Sequence, residues 1–420
     1  MSRHRKLIAR ISSLVIMTAL AAAAASPGAG IAAPSVQGFD GSTIKIGGIG
    51  IFSSFADGDV GARARFQRFN DDKEIKGIKI EYTEWLDEKL DPTLALSAAR
   101  QLVEQDGVFA IIPSFSAVMP GDYLTQKKVP WFGWAFDATY CTTSPSETSY
   151  GFGYNGCLVP DDPKRMPDNG GQLYKYVSEQ SGNKKPTIAI FANDSDSGSR
   201  ATATQASAYS GAGFDVVLAK GLLPPPPIGD VTPYVQELIT SADGGPPDAM
   251  VCLLILDCIE IWNQLKANSY EGTFQSPLYS DLLIEPMEGS VASVTYVPAD
   301  VGTPAQEQMA ADFAAFADDA VINSGTSASY FAADMFITTL KQLKKKKIDI
   351  TPENVQKAAS KLTFEVKGLY GPTSFPDSFV RPTPSCVAIA LDNGTAWETV
   401  EPYICSSKTY KVKKKFFEGS

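Results

Sequence analysis

The feature that most constrains this chain is a strand–helix alternation that runs, stops and starts again. The first run reads "IKIGGIGIF", "VGARARFQRFND", "IKIEYTEW", "PTLALSAARQLVEQDG", "VFAIIPSFSA" and "VPWFGWAF". The apolar stretches, rich in Ile, Val and Phe, read as strands. Between them, Ala62, Phe66 and Phe69 recur on one helical face. Pro92 and Gly107 mark the start and stop of the next helix. The second run begins with a helix over Gln172–Gln180 and the strand "PTIAIFAND". The helix "SRATATQASAYSGAG" and the strand "FDVVLAKG" follow. Next come "DVTPYVQELITSADG", a helix broken early by Pro233, and the strand "DAMVCLLILD". The run closes on the helix "CIEIWNQLKAN" and the strand "SPLYSDLL". Strands alternating with helices make parallel sheets covered on both faces. Two such runs predict an α/β protein of two doubly wound, Rossmann-like lobes, and 420 residues exceed what one core holds.

After "GSVASVTYVP" the pattern turns to helices alone, over 305–317, 327–345 and 352–361, which are expected to return to the first lobe. A closing β section, "GPTSF" and then "CVAIALDNGTAWETVEPYIC", carries a turn signal at Asn393-Gly394. The chain therefore crosses between lobes several times, an arrangement that permits hinge bending. The expected boundaries are 34–158 with 297–367 for lobe 1, 159–296 with 368–407 for lobe 2, and a basic tail at 408–420. The run "LLPPPPIGD" is a stiff exposed connection within the second lobe.

The start of the chain predicts export. Arg3, Arg5, Lys6 and Arg10 precede an apolar run, Leu14 to Ala25, that is short for a membrane span. Pro27, Gly28 and Gly30 break that run, and the whole reads as a cleaved leader over residues 1–33. No cysteine occurs before Cys141, so the bacterial lipobox cysteine is missing and no lipid anchor is expected. The formal net charge is −10, and losing the four basic leader residues makes the remainder more acidic. Such a chain repels nucleic acid and anionic lipid surfaces. The basic runs Lys344–Lys347 and "KVKKKFF" read as a solvated helix end and a solvated tail. Six cysteines in an exported chain favour disulfides. Local pairing gives Cys141–Cys157, Cys252–Cys258 and Cys386–Cys405; the middle two could instead stand as buried free thiols.

His4, in the leader, is the only histidine. A Ser-His-Asp or Cys-His nucleophile and a His-based metal site are thereby excluded from the rest of the chain. Gly48 and Gly50 fit the first two places of the dinucleotide turn G-x-G-x-x-G, but the third place is Ser53. A nucleotide cofactor is not expected, nor is a metal. The glycines are read instead as letting Phe52, Ser53 and Ser54 lie over a cleft.

The chain resembles the type I periplasmic solute-binding proteins of ABC importers, in the branch that binds branched-chain amino acids, amides and urea. The likeness rests on the leader, on "IKIGGIGIFSS…GARARFQRFND" and on "IKGIKIEYTEWLDEKLDPTLALSAARQLVEQDGVFAIIPSFSA". There Asp87, Asp91, Pro92, Ala99, Leu102 and Gly107 fall in step with the family pattern. It extends through "PTIAIFANDSDSG". The resemblance implies two α/β lobes, three crossovers, a ligand closed between the lobes, and the permease subunits of an importer as partners. A monomer is expected.

In open α/β sheets, ligands bind beyond the carboxyl ends of the strands. That rule selects Phe52 and Ser54 after the first strand, and the loop of Ser114, Phe115 and Ser116. The loop's hydroxyls and amides suit a carboxylate, or alternatively cap the helix that follows. By resemblance it is the family's serine loop for the ligand carboxylate. The rule also selects Trp134, Ala135 and Phe136, as pocket wall or core, then Asp196 and Ser197, then Leu256, then Asp281. By resemblance Asp281 stands where amino-acid binders carry an acid for the ligand ammonium. Facing solvent, it would leave a hydrophobic or aromatic carboxylate as the better ligand, since an unpaired buried ammonium is too costly. The expected function is capture of a small apolar or aromatic carboxylate or amino acid for an importer. An exported ligand-sensing receptor of the same fold is the alternative. Against a third reading, an exported hydrolase or nucleotide enzyme, stand the missing histidine and the broken glycine pattern.

Overall fold

In the computed structural model, residues 36–224, 228–253 and 257–417 are described. The expected leader lies outside them. The first run of strands forms a five-stranded parallel sheet: β1 (Thr43–Gly50), β2 (Lys79–Asp87), β3 (Ala110–Phe115), β4 (Trp131–Gly133) and β5 (Gly151–Gly153). Their order is β2-β1-β3-β4-β5. Both faces are covered, which is why the inner strand β3 is buried at every position, whereas the edge strand β2 alternates polar and apolar residues. Ile44, Ile46, Ile112, Phe132 and Phe152 pack with the helices Val60–Asp71 and Ser324–Lys345. Ile49, Ile111 and Trp131 join a second cluster, with Ala99 and Leu102 from the segment Pro92–Gln105. That segment is an α-helix to Arg100 and then one wide π turn. Its start is fixed by Asp91, whose carboxylate accepts the Thr93 and Leu94 amides, with Pro92 in the first turn.

The second run builds a seven-stranded sheet. After a short strand β6 (Arg165–Pro167) come β7 (Thr187–Asn193), β8 (Asp215–Leu223), β9 (Ala249–Cys252), β10 (Thr273–Ser276) and β11 (Val291–Val294). The hairpin β12 (Thr363–Val366) and β13 (Tyr370–Ser374) stands apart; it pairs across the expected lobe boundary at 367/368. The last large strands, β14 (Cys386–Asp392) and β15 (Trp397–Cys405), add antiparallel to β11, giving β15-β14-β11-β10-β9-β7-β8. The three cysteine pairs are the local ones, Cys141–Cys157, Cys252–Cys258 and Cys386–Cys405.

Three details differ from the sequence reading. The strand expected over "SPLYSDLL" lies earlier, at β10, because Pro277 has no N–H to continue the ladder. Residues 281–283 form a 3-10 turn instead. Pro233 does not break its helix; it sits in the first turn of Thr232–Ile239, where its missing N–H costs nothing. The basic tail is docked rather than free. Its strand β16 (Thr409–Lys411) pairs with β6, and Tyr410 lies on Gly211, where a Cβ would come within 2.3 Å of the ring.

The chain passes between the sheets three times: after β5, after β11 and after β13. These passages are tied to one another and to the hairpin. The Cys157 amide donates to Ser378 O at 2.7 Å, Thr383 N donates to Asn155 O at 2.9 Å, and Val297 N donates to Leu369 O at 2.9 Å.

Candidate functional site

The carboxyl ends of the first sheet carry an aromatic cluster that starts from two glycines. Between β1 and β2 the register slips, so that Ile46 stands opposite Tyr82 but Gly48 opposite Trp85. This bulge puts Tyr82 and Trp85 on the same side of β1. A Cβ on Gly48 would lie 2.7 Å from the indole, and one on Gly50 only 2.1 Å from it. The glycines therefore serve close packing of Trp85 against the strand, a role the sequence reading did not give them. That turn is one helical turn, Phe52–Phe55. Phe52 stacks on Trp85 at 5.6 Å between ring centroids, and its amide donates to the Asp87 carboxylate at 3.1 Å. Gly50→Ala should push the indole off the strand and destabilise the protein by about 1–3 kcal/mol. Urea unfolding and near-UV circular dichroism read this out; an unchanged aromatic spectrum would place the indole elsewhere.

From Trp85 the cluster continues through Phe115 (6.1 Å) to Phe55 (5.6 Å) and Trp134 (6.2 Å), and on to Phe136 (6.0 Å). Phe55 and Phe115 are buried, whereas Phe52, Trp85, Trp134 and Phe136 are half-buried. A buried aromatic base thus carries a partly open aromatic rim. Trp85 and Phe55 were not among the residues expected from the sequence. Strict alternation along "IKIEYTEW" puts Tyr82 and Trp85 on opposite faces, and the bulge reverses that; the one available signal was a glycine-rich strand beside a Trp-bearing one.

The serine loop is fully buried at Ser114 and Ser116. The Ser114 hydroxyl bonds the Tyr140 hydroxyl, which also reaches Ser114 O at 3.1 Å. Burial holds the Tyr140 phenol above its ordinary range. Ser116 Oγ accepts the Val118 amide at 3.0 Å. Neither serine caps the following helix, Gly121–Lys127, which begins at Pro120 without a side-chain cap. Ala135 is buried, and its amide donates to Asn155 Oδ1 at 3.1 Å. Beneath the loop lies a residue the sequence reading passed over, Glu88. Its side chain is 0 % exposed beside the Ser116 hydroxyl and the Leu90 and Ala117 amides, yet neither oxygen meets a donor at hydrogen-bonding geometry. Burial raises this carboxyl to about 7. Lys89 and Leu90, next in the chain, both take left-handed φ angles of 53° and 58°.

On the second sheet, Asp196 is exposed and Ser197 half-buried, both in the first turn of the helix Asp196–Ala212. Ser195 caps that helix by accepting the Gly198 amide at 3.0 Å. Asp281 is exposed at its 3-10 turn, with partial loss of water raising its carboxyl. Leu256 lies outside the described residues. Among the described residues, no hydrogen bond or ring contact joins the serine loop to the Asn193–Ser199 turn.

A profile of the periplasmic binding protein family matches residues 43–392. Solved structures share the fold at low identity. A possible leucine/isoleucine/valine-binding protein from Rhodopirellula baltica SH 1 is 14% identical, with 88% of this chain and 98% of that one covered, at TM-score 0.67. A fatty acid ABC transporter substrate-binding protein from Thermomonospora curvata is 17% identical, with 92% and 96% covered, at TM-score 0.66. An ABC transporter solute binding protein from R. palustris, in complex with 4-hydroxybenzoate, is 17% identical, with 88% and 97% covered, at TM-score 0.64. Curated protein sequences gave no match.

Proposed function

Because the chain belongs to the periplasmic binding protein family, we propose that it captures a small apolar or aromatic carboxylate or amino acid and hands it to an ABC importer. The aromatic rim of Phe52, Trp85, Trp134 and Phe136 carries this reading. Rings left half-open at the carboxyl ends of a parallel sheet offer a flat apolar surface where ligands of such folds sit. The fatty-acid and 4-hydroxybenzoate proteins named above fit the same ligand class. Asp281 is exposed rather than lining a buried pocket, which favours a carboxylate without an ammonium.

In this reading two lobes, 34–158 with 297–367 and 159–296 with 368–407, close about the three passages. The ligand drives closure only by its extra affinity for the closed form. It leaves chemically unchanged, and the permease subunits of the importer are the partners. Three disulfides fit an exported protein in an oxidising compartment, working as a monomer.

A thermal-shift screen tests this with benzoate, 4-hydroxybenzoate, octanoate, leucine, isoleucine, benzamide and urea. The expected result is a rise in Tm with the apolar acids. Trp85→Ala and Trp134→Ala should each weaken binding by about tenfold or more, since a buried ring contact is worth about 0.5–1.5 kcal/mol beyond its area. A shift with urea alone, or full affinity in both variants, would overturn the reading.

A further inference from the structure

We propose that binding of a ligand carboxylate at the serine loop is coupled to the uptake of one proton by Glu88. The inference rests on the carboxylate reading above, and its geometry is that of two carboxyls sharing one set of donors. The buried Glu88 carboxyl lies beside the Ser116 hydroxyl and the Ala117 amide. Ser116 Oγ already accepts the Val118 amide, so its own O–H is the donor left to give. An ionised Glu88 draws that O–H, and the Ala117 N–H, inward. A ligand anion on the outer side of the loop needs the same donors and sits against the same buried negative charge. Two carboxylates at one site cannot both ionise readily, and one of them takes a proton. The ligand keeps its charge because its outer side faces solvent and the aromatic rim. Glu88, 0 % exposed and with neither oxygen properly bonded, is the one that yields. A solvent proton moves onto a Glu88 oxygen as the anion arrives, so the charge of the site is unchanged.

The neighbours of Glu88 leave little else to neutralise it. The turn after β1 presents the Gly50 carbonyl, which accepts the Glu88 amide at 2.9 Å. The serine loop presents only Ser116 and Ala117, neither of which titrates. Its own strand end presents Asp87, whose negative charge pushes the Glu88 carboxyl further up, after burial. Lys89 follows it in the chain and is exposed. Burial already holds Glu88 near neutrality, at about 7, so a proton is available in the ordinary working range.

The test is calorimetric titration of the purified protein with benzoate and octanoate, both ionised throughout pH 6–9, and with benzamide as a neutral partner. For the two anions, Kd should rise about tenfold per pH unit above roughly pH 7, the slope of one linked proton. Titrations in buffers of different ionisation heat should show close to one proton taken up at pH 8. Glu88→Gln, a neutral stand-in for the protonated acid, should bind both anions with no such slope and no uptake. A ligand-free control shows whether Glu88 titrates here at all. Its unfolded carboxyl ionises near 4.5 and its folded one near 7. Wild-type stability should therefore fall against Glu88→Gln as pH rises from 4.5 to 7, then run parallel. Curves parallel throughout, or an anion Kd flat with pH in the wild type, would overturn the proposal and leave ligand capture standing. If benzamide binds and neither anion does, the carboxylate reading falls and the proton coupling with it.

Discussion

Arg65→Ala should cost the protein about 3 kcal/mol or more of its stability, at the lower edge of what breaking a buried ion pair brings. Arg65 lies on the helix Val60–Asp71 with its side chain 2% exposed. Its two Nη atoms meet the two Glu74 oxygens at 2.7 and 3.0 Å, and its Nε meets Asp334 Oδ1 at 2.6 Å on the helix Ser324–Lys345. Lys341 also bonds Glu74. The guanidinium thus rivets two helices that cover the same face of the first sheet. Truncation leaves two carboxylates short of their partner with little water to replace it. Arg65→Lys should fall between, because an ammonium cannot match the paired geometry. Urea unfolding measures the loss, and an unchanged midpoint in Arg65→Ala would refute the assignment. The pH dependence has a definite sign. Burial pushes Glu74 up, but the Arg65 and Lys341 bonds outweigh it and hold the carboxyl down to about 2. Its stabilisation is present above the unfolded value near 4.5 and is lost as pH falls toward 2. Removing Arg65 should flatten that acid limb.

What could be read from the sequence followed local periodicity, and what could not depended on partners far along the chain. The two strand–helix runs were legible because strand and helix faces recur at fixed intervals. The cysteine pairs were legible because each joins neighbours in the chain, as with Cys386 and Cys405 opposite each other at the open end of one hairpin. Trp85 was hidden because a single bulge changes which face it occupies. The docking of Tyr410 on Gly211 was hidden because nothing local distinguishes a tail that finds a bare backbone from one that does not. The aromatic cluster was partly legible: Phe52, Phe115, Trp134 and Phe136 were singled out, but Trp85 on the rim and Phe55 in the base were not. The serine segment was legible as a strand end, but not as a loop throughout: Ser114 and Phe115 are the last residues of β3, and only Ser116 and Ala117 lie in the loop. The inward turn of the serine hydroxyls was not legible, since it depends on Tyr140, Val118 and the folding of Glu88 beneath them.

Phe331→Ala should uncouple the two sheets. Phe331 is fully buried on the long helix Ser324–Lys345, and one tyrosine from beside each of the three passages packs against it. Tyr154 follows β5 at 5.8 Å, Tyr296 follows β11 at 5.7 Å, and Tyr370 opens β13 at 4.6 Å. Two of the tyrosines are also tied together, the Tyr370 hydroxyl donating to Tyr154 O at 2.8 Å. A bending motion about the passages must preserve or repack these contacts, so the single ring at their centre affects both the cohesion of the sheets and their freedom to move. Truncation opens a cavity at that point and should destabilise by about 3–5 kcal/mol. Phe331→Leu should cost much less, because it keeps most of the volume. The diagnostic is cooperativity. Scanning calorimetry of the wild type should give one transition, whereas Phe331→Ala should give two, as each sheet with its helices melts separately. Benzoate, if bound between the sheets, should draw the two transitions back together by stabilising the joined form. A single transition lowered by the same amount as in Phe331→Leu would show that the three tyrosines hold the passages without the ring they share.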